Sequence, residues 1–341
     1  MRALRKLDEG ASLTLCEVPE PAPGPHQVVL DVAACGICGT DLHILQGEYR
    51  ARLPVTLGHE AAGTLAALGE GVRDWHLGQR VVAETYFSVC GRCDYCLAGR
   101  PNLCPERASI GSMRDGAFAD KLLVPARNLH ALPPTLGFPE AALVEPLACV
   151  VRGLTELAVL RAGDLALVTG PGAIGLLALQ VARASGARVV MVGTPADRGR
   201  LERAKELGAE RILEASGEPQ EDAGRARELL GAAPDVVIEC SGSAAAGRLL
   251  LDCVRPAGRF IQVGLYGRPV QLDFDRVCYK ELHVTGSFAT TPSSWRRALE
   301  LAGSGRVSLR GVVGASYPLE DWQAAFAAAT AGTPGRVLLL P

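Results

Sequence analysis

Residues 165–175 read Leu165-Ala166-Leu167-Val168-Thr169-Gly170-Pro171-Gly172-Ala173-Ile174-Gly175. Five residues without a charge predict a short buried strand, and Gly170, Gly172 and Gly175 then follow at G-x-G-x-x-G spacing. Leu176 to Ser185 continues as a helical run, and Arg188 to Val192 predicts a second strand. Alone, such a glycine pattern is weak. Between a strand and a helix it is the turn that lets a backbone approach a pyrophosphate, with the helix N-terminus as the anion site. Gly170, Gly172, Ala173, Ile174 and Gly175 are therefore candidate cofactor-binding residues. Further strands over Asp235 to Glu239 and Phe260 to Leu265, alternating with helical patterns, predict a parallel sheet.

The second strand ends without the acid that usually accepts the 2′-hydroxyl of an NAD ribose; Gly193 takes its place. Thr194 and Arg198 are suited to a 2′-phosphate, which tilts the expectation from NAD to NADP. Asp197 either reaches the ribose, if the loop folds back, or caps the helix that starts at Arg198.

Before this region lies a cluster of cysteines, Cys90, Cys93, Cys96 and Cys104, spaced C-x2-C-x2-C-x7-C. Four thiolates make a closed tetrahedron with no open position, which suits structural zinc; an iron–sulfur cluster is the rival occupant. Earlier still, Cys35-Gly36-Ile37-Cys38-Gly39-Thr40-Asp41-Leu42-His43 is followed by Leu57-Gly58-His59-Glu60. Cys38 and His59 are a thiolate and an imidazole of the kind zinc accepts, with the Glu60 carboxylate adjacent.

These four motifs, in this order, resemble the zinc-dependent medium-chain alcohol dehydrogenases over essentially the whole chain. The resemblance implies an α/β protein with two domains: a GroES-like, mostly-β catalytic domain over 1–149 and 286–341, and a Rossmann domain, a doubly wound parallel sheet, over 150–285. It implies two zinc ions per subunit. Cys38 and His59 would hold the catalytic one, Glu60 would join directly, through water or as a switching ligand, and Asp41 would orient His59. Thr40 would take the alcohol proton and pass it towards His43. The third protein ligand resembles that of the polyol branch, because Glu145-Pro146 stands where the alcohol branch has a cysteine; Cys149 is the rival. Ser241, Gly264, Leu265, Ser287 and Phe288 would lie along the cofactor, and Arg336 would reach its pyrophosphate.

The implied reaction is hydride transfer between a secondary alcohol, a polyol or sugar alcohol, and NAD(P), giving a ketone. The L-threonine 3-dehydrogenase branch is the enzyme alternative. It shares Cys-Gly-Thr-Asp and His43 but differs at Glu145-Pro146 and at Gly286-Ser287-Phe288-Ala289. A zinc-stabilised binding protein without turnover is the non-enzyme alternative. Homodimers and homotetramers are both expected for such a family.

Composition supports this reading by exclusion. The 341 residues carry 35 basic and 37 acidic side chains, a net charge of −2, and only 5% aromatics. A nucleic-acid or anionic-membrane surface has no support from such a balance. The uncharged run Leu165 to Ala182 is long enough to raise a membrane helix, but its glycines argue for a buried strand-turn-helix. No charged segment followed by an apolar run opens the sequence, so the expectation is a cytoplasmic protein.

Overall fold

Leu165–Thr169 (β1) forms the centre of a six-stranded parallel sheet. The structure, a computed structural model, describes residues 1–341. Around β1 stand Arg188–Gly193 (β2), Arg211–Glu214 (β3), Val236–Glu239 (β4), Arg259–Gln262 (β5) and His283–Gly286 (β6). Their order is β3-β2-β1-β4-β5-β6, with every neighbouring pair parallel. This is the doubly wound order of dinucleotide-binding folds. Five helices lie in the connections: Ala173–Ala184 (α1), Arg198–Glu206 (α2), Pro219–Leu230 (α3), Ala244–Cys253 (α4) and the short Asp275–Tyr279 (α5).

The continuous apolar run has a simple cause. Ala166, Leu167 and Val168 are fully buried, as a parallel strand covered on both faces requires. The helix after the turn is apolar nearly all round, and Leu176, Leu177, Ala178, Leu179, Val181 and Ala182 are all buried. Fully burying each leucine contributes roughly 1.5–3 kcal/mol, so α1 is anchored by packing more than by propensity.

The other unit is mostly β. Its larger sheet runs Leu129–Ala131, Arg80–Ala83, Glu60–Leu68, Gln27–Gly36, Arg336–Leu340 and Val313–Pro318, with Lys121–Pro125 also paired to Gln27–Gly36. A second sheet joins Thr14–Glu17, Arg2–Lys6 and Val55–Thr56. Leu4, Val28, Leu30, Leu65, Phe118 and Leu339 belong to one core, with Phe118 edge-on to Phe326. The long antiparallel pair Gln27–Gly36 and Glu60–Leu68 carries the site, because its register ends on Gly36 opposite Glu60.

The expected domain limits need correction. The units are 1–145, 290–303 and 313–341 on one side, and 146–289 with 304–312 on the other. The division at 145 falls inside one helix, Val144–Val151. Segment 290–303 joins the β unit because Trp295 is fully buried there, stacked on His130, while the Tyr86 hydroxyl bonds both backbone groups of Thr290. Segment 304–312 returns to the parallel-sheet unit. There Gln180 Oε1 accepts the Ser308 amide at 2.7 Å and Arg203 Nη1 donates to the Gly311 carbonyl at 3.0 Å.

Candidate functional site

Cys38 ends the strand-to-helix connection before Gly39–Leu45, and its amide donates to Asp41 Oδ2 at 2.8 Å. Gly58 (φ +88°) turns the chain into His59, and a side chain at 58 would meet the Phe118 ring at 2.6 Å. These two turns bring Cys38, His59 and Glu60 together, with their ligand atoms all within 4.8 Å of one another. Asp41 is fully buried; its Oδ1 accepts the Gly58 amide at 3.2 Å and lies 3.7 Å from His59 Nδ1. That is ion-pair range rather than a formed hydrogen bond. Burial lowers the His59 pKa, but the Asp41 carboxylate and the Cys38 sulfur more than offset it and hold it well above the usual imidazole value. Thr40 Oγ1 lies 3.7 Å from Cys38 Sγ, and His43 Nδ1 pairs with Glu48 Oε2 at 2.6 Å.

Glu60 is completely buried. Burial raises its pKa to about 7, opposed by Arg336 and reinforced by Glu145. Arg336 Nη2 stands 2.9 Å from Glu60 Oε1, close enough to pair but off the hydrogen-bond axis, so both carboxylate oxygens keep unfilled acceptor capacity. A thiolate, an imidazole and an under-satisfied buried carboxylate form a donor set that fits zinc. Glu145 is buried and close enough for its charge to be felt at Glu60, yet it is not one of the three residues whose ligand atoms converge.

The second cluster is as the spacing requires. Cys90, Cys93, Cys96 and Cys104 are all free thiols whose sulfurs lie within 4.8 Å of one another. The Cys93 amide points at Cys90 Sγ at 3.4 Å, and the amides of Arg92 and Cys93 pull the Cys90 pKa down to about 7. Amides aimed at sulfur stabilise thiolates, so this lobe also suits a metal.

In the parallel-sheet unit, Gly170 takes φ +83°, and any Cβ there would meet Ser241 Cα at 2.7 Å. Gly175 packs its Cα against the Gly170 carbonyl oxygen. Gly172 has open space around it and starts α1 with no side-chain cap, which leaves the amides of Ala173 and Ile174 to receive an anion. Gly170, Gly193, Thr194 and Ser241 line one cleft of about 200 Å³. These features fit a dinucleotide. Leu265 and Phe288 are exposed, and Ser287 packs close to Gly153.

Two expected cofactor contacts are differently engaged. Arg336 does not stand ready for a pyrophosphate; besides Glu60 it donates from Nη1 to the Ile37 carbonyl at 3.0 Å. Arg198 is paired with both oxygens of Glu214, at 2.9 and 3.3 Å. One organising residue escaped the sequence reading. Glu239, fully buried at the end of β4, accepts from the amides of Ser241 and Gly242 and from Gln262 Nε2. It thereby ties the 241–242 turn to the 262–264 turn, which places Gly264 against its Oε2. The available signal was a charged residue closing an apolar run, since a buried carboxylate must find donors.

Comparison with known proteins agrees with this geometry. An alcohol dehydrogenase GroES-like domain model matches residues 24–134, and a zinc-binding dehydrogenase model matches residues 173–304. A sorbitol dehydrogenase from Halalkalibacterium halodurans is 39% identical over 344 residues, covering 100% of this chain and 99% of that protein. An L-threonine 3-dehydrogenase from Stenotrophomonas maltophilia is 35% identical, with 99% of both chains covered. Among solved structures, a zinc-binding dehydrogenase from Sinorhizobium meliloti bound to NADP has TM-score 0.87 and 33% identity, covering 100% and 99% of the two chains. An Escherichia coli alcohol dehydrogenase complexed with NADH has TM-score 0.90 and 26% identity, again covering 100% and 99%.

Proposed function

Because the chain belongs to the zinc-binding, medium-chain alcohol dehydrogenase family, we propose that it transfers hydride between a secondary alcohol of the polyol class and NAD(P). The observation that carries this reading is the convergence of Cys38, His59 and Glu60 beside Thr40. Zinc bound there would supply Lewis acidity, the effect that lowers the pKa of water from about 15.7 to about 7.

The residues of the chain supply the rest. Cys38 Sγ and the His59 imidazole would hold the metal, and Asp41 orients the His59 ring. Thr40 Oγ1 accepts the proton of the substrate hydroxyl while passing its own on towards His43. His43 Nε2 exchanges that proton with solvent, its ring fixed by Glu48 on Nδ1. Glu60, paired with Arg336 and with unfilled acceptor capacity on both oxygens, would join the metal directly, through water or as a switching ligand. Glu145, buried and near enough for its charge to reach Glu60, would be the third protein residue at the metal site. The four-cysteine lobe would hold a second, structural zinc.

Identity to the sorbitol dehydrogenase supports a polyol. The threonine dehydrogenase at 35% identity supports L-threonine as a second reading. Offering xylitol, sorbitol, L-threonine and butane-2,3-diol to zinc-loaded protein, with NAD and NADP, separates the two. Reduction with a polyol supports the first reading, and reduction with threonine alone replaces it.

No helix is long and apolar enough to cross a membrane. All eleven cysteines are free, which supports a reducing, cytoplasmic setting. The exposed edge strand β6, with Val284 42% exposed, supports assembly as a homodimer or homotetramer.

A further inference from the structure

We propose that Asp197 sets the choice of dinucleotide, standing in for the acid missing from the end of β2 and selecting NAD over NADP. The inference rests on the dehydrogenase reading above.

Gly193 ends β2 where an NAD-binding fold usually carries its ribose-reading carboxylate. In the structure that space is taken. A Cβ on Gly193 would lie 2.9 Å from Pro171 Cγ, 3.1 Å from Asp197 Cβ and 3.2 Å from Leu201 Cδ2. The loop after β2 folds back. The Thr194 amide and hydroxyl both donate to Asp197 Oδ2, at 3.0 and 2.7 Å, while Arg200 Nη1 donates to Oδ1 at 2.9 Å. Asp197 therefore lines the same cleft as Gly170, Gly193 and Thr194. Burial tends to raise its pKa, but Thr194 and Arg200 outweigh that and keep it lowered, so it is an anion at neutral pH.

The surrounding charge points the same way. No lysine or arginine lines the cleft, whereas Asp197 and Asp222 do. Asp222 lies on α3 and accepts the amides of Ser216 and Gly217, whereas Asp197 packs against the end of β2 itself, with its Cβ 3.1 Å from where a Cβ on Gly193 would lie. Thr194 and Arg198, the groups suited to a 2′-phosphate, are held by Asp197 and Glu214. A phosphate monoester carries about −1.5 to −2 charges at neutral pH and would meet the Asp197 carboxylate, whose one adjacent cation, Arg200, is already paired with it. A ribose 2′-hydroxyl can donate to that same carboxylate.

Titration calorimetry with NAD and with NADP, on the purified protein and on Asp197→Asn and Asp197→Ser, tests this without relying on turnover. The wild type should bind NAD more tightly than NADP. Both variants should lose roughly tenfold or more in NAD affinity, the scale of one charge-assisted hydrogen bond. Both should gain in NADP affinity, because the charge that repels a 2′-phosphate is gone and Arg200 loses its counter-charge. Asparagine keeps the turn's acceptor, so it separates loss of charge from loss of the loop. Equal or tighter NADP binding by the wild type, or an unchanged affinity ratio in Asp197→Asn, overturns the inference and leaves the dehydrogenase reading standing. Binding of neither dinucleotide overturns both.

Discussion

Glu60 folds its carboxylate over Gly36, its register partner on the neighbouring strand, so that a methyl group at position 36 would stand against Oε2. The side chain is held from the other side by Arg336, on a strand that also pairs with Gln27–Gly36. Gly36→Ala should therefore cost about 1–3 kcal/mol in stability, the range for overpacking a close-packed interior. Turnover should fall as well, because the only relief is to move Glu60 away from Cys38 and His59. Urea unfolding beside steady-state kinetics checks both parts.

Arg336→Met leaves the buried Glu60 carboxylate without its counter-charge. Removing one partner of a buried pair typically destabilises by about 3–5 kcal/mol. Arg336 opposes the burial that raises the Glu60 pKa to about 7, so losing it should raise that pKa further. Arg336→Met with Glu60→Gln should recover much of the lost stability in urea melts, since no uncompensated charge remains.

Cys93→Ser opens the four-sulfur lobe while leaving Cys38, His59 and Glu60 intact. The expected outcome is loss of one zinc of two by atomic absorption and a lower melting temperature. Residual turnover per surviving folded molecule should remain.

Asp235 fastens the start of β4, accepting the Leu165 amide at 2.8 Å and Arg255 Nε at 2.7 Å. Burial raises its pKa, but these donors outweigh burial and hold it below the ordinary value of 3.8. A depressed folded pKa means the stabilisation is present above the unfolded value and is lost as pH falls through the folded one. Asp235→Asn should cost about 1–2 kcal/mol at pH 7. The gap to the wild type should close under strongly acidic conditions, as thermal melts across pH would record.

The residues that carry chemistry were legible where local pattern dictates geometry. The G-x-G-x-x-G turn lies between strand and helix because glycine alone tolerates φ +83° against Ser241. The four cysteines converge because two-residue gaps fold into one tight loop. Long-range pairings were not legible. Arg336 meets Glu60 through the pairing of a C-terminal strand with an N-terminal one, and no local signal announces it. Glu239 was read only as the end of a strand, because its donors come from two separate turns. Asp197 was legible as a helix cap, but its position beside Gly193 depends on how the loop folds back. The unit limits at 145, 289 and 303 depend on which core receives Trp295 and Ser308, which periodicity does not record.

The central claim is that Cys38, His59 and Glu60 form the catalytic metal centre. Zinc content, turnover on the best alcohol of the panel and the melting curve of Cys38→Ser, measured beside the wild type, test it most directly. The expected result is one zinc lost of two, a melting curve close to wild type, and turnover down roughly a thousandfold or more, as when several kcal/mol of Lewis-acid stabilisation are removed. Wild-type turnover in a Cys38→Ser protein that has lost that zinc would contradict it.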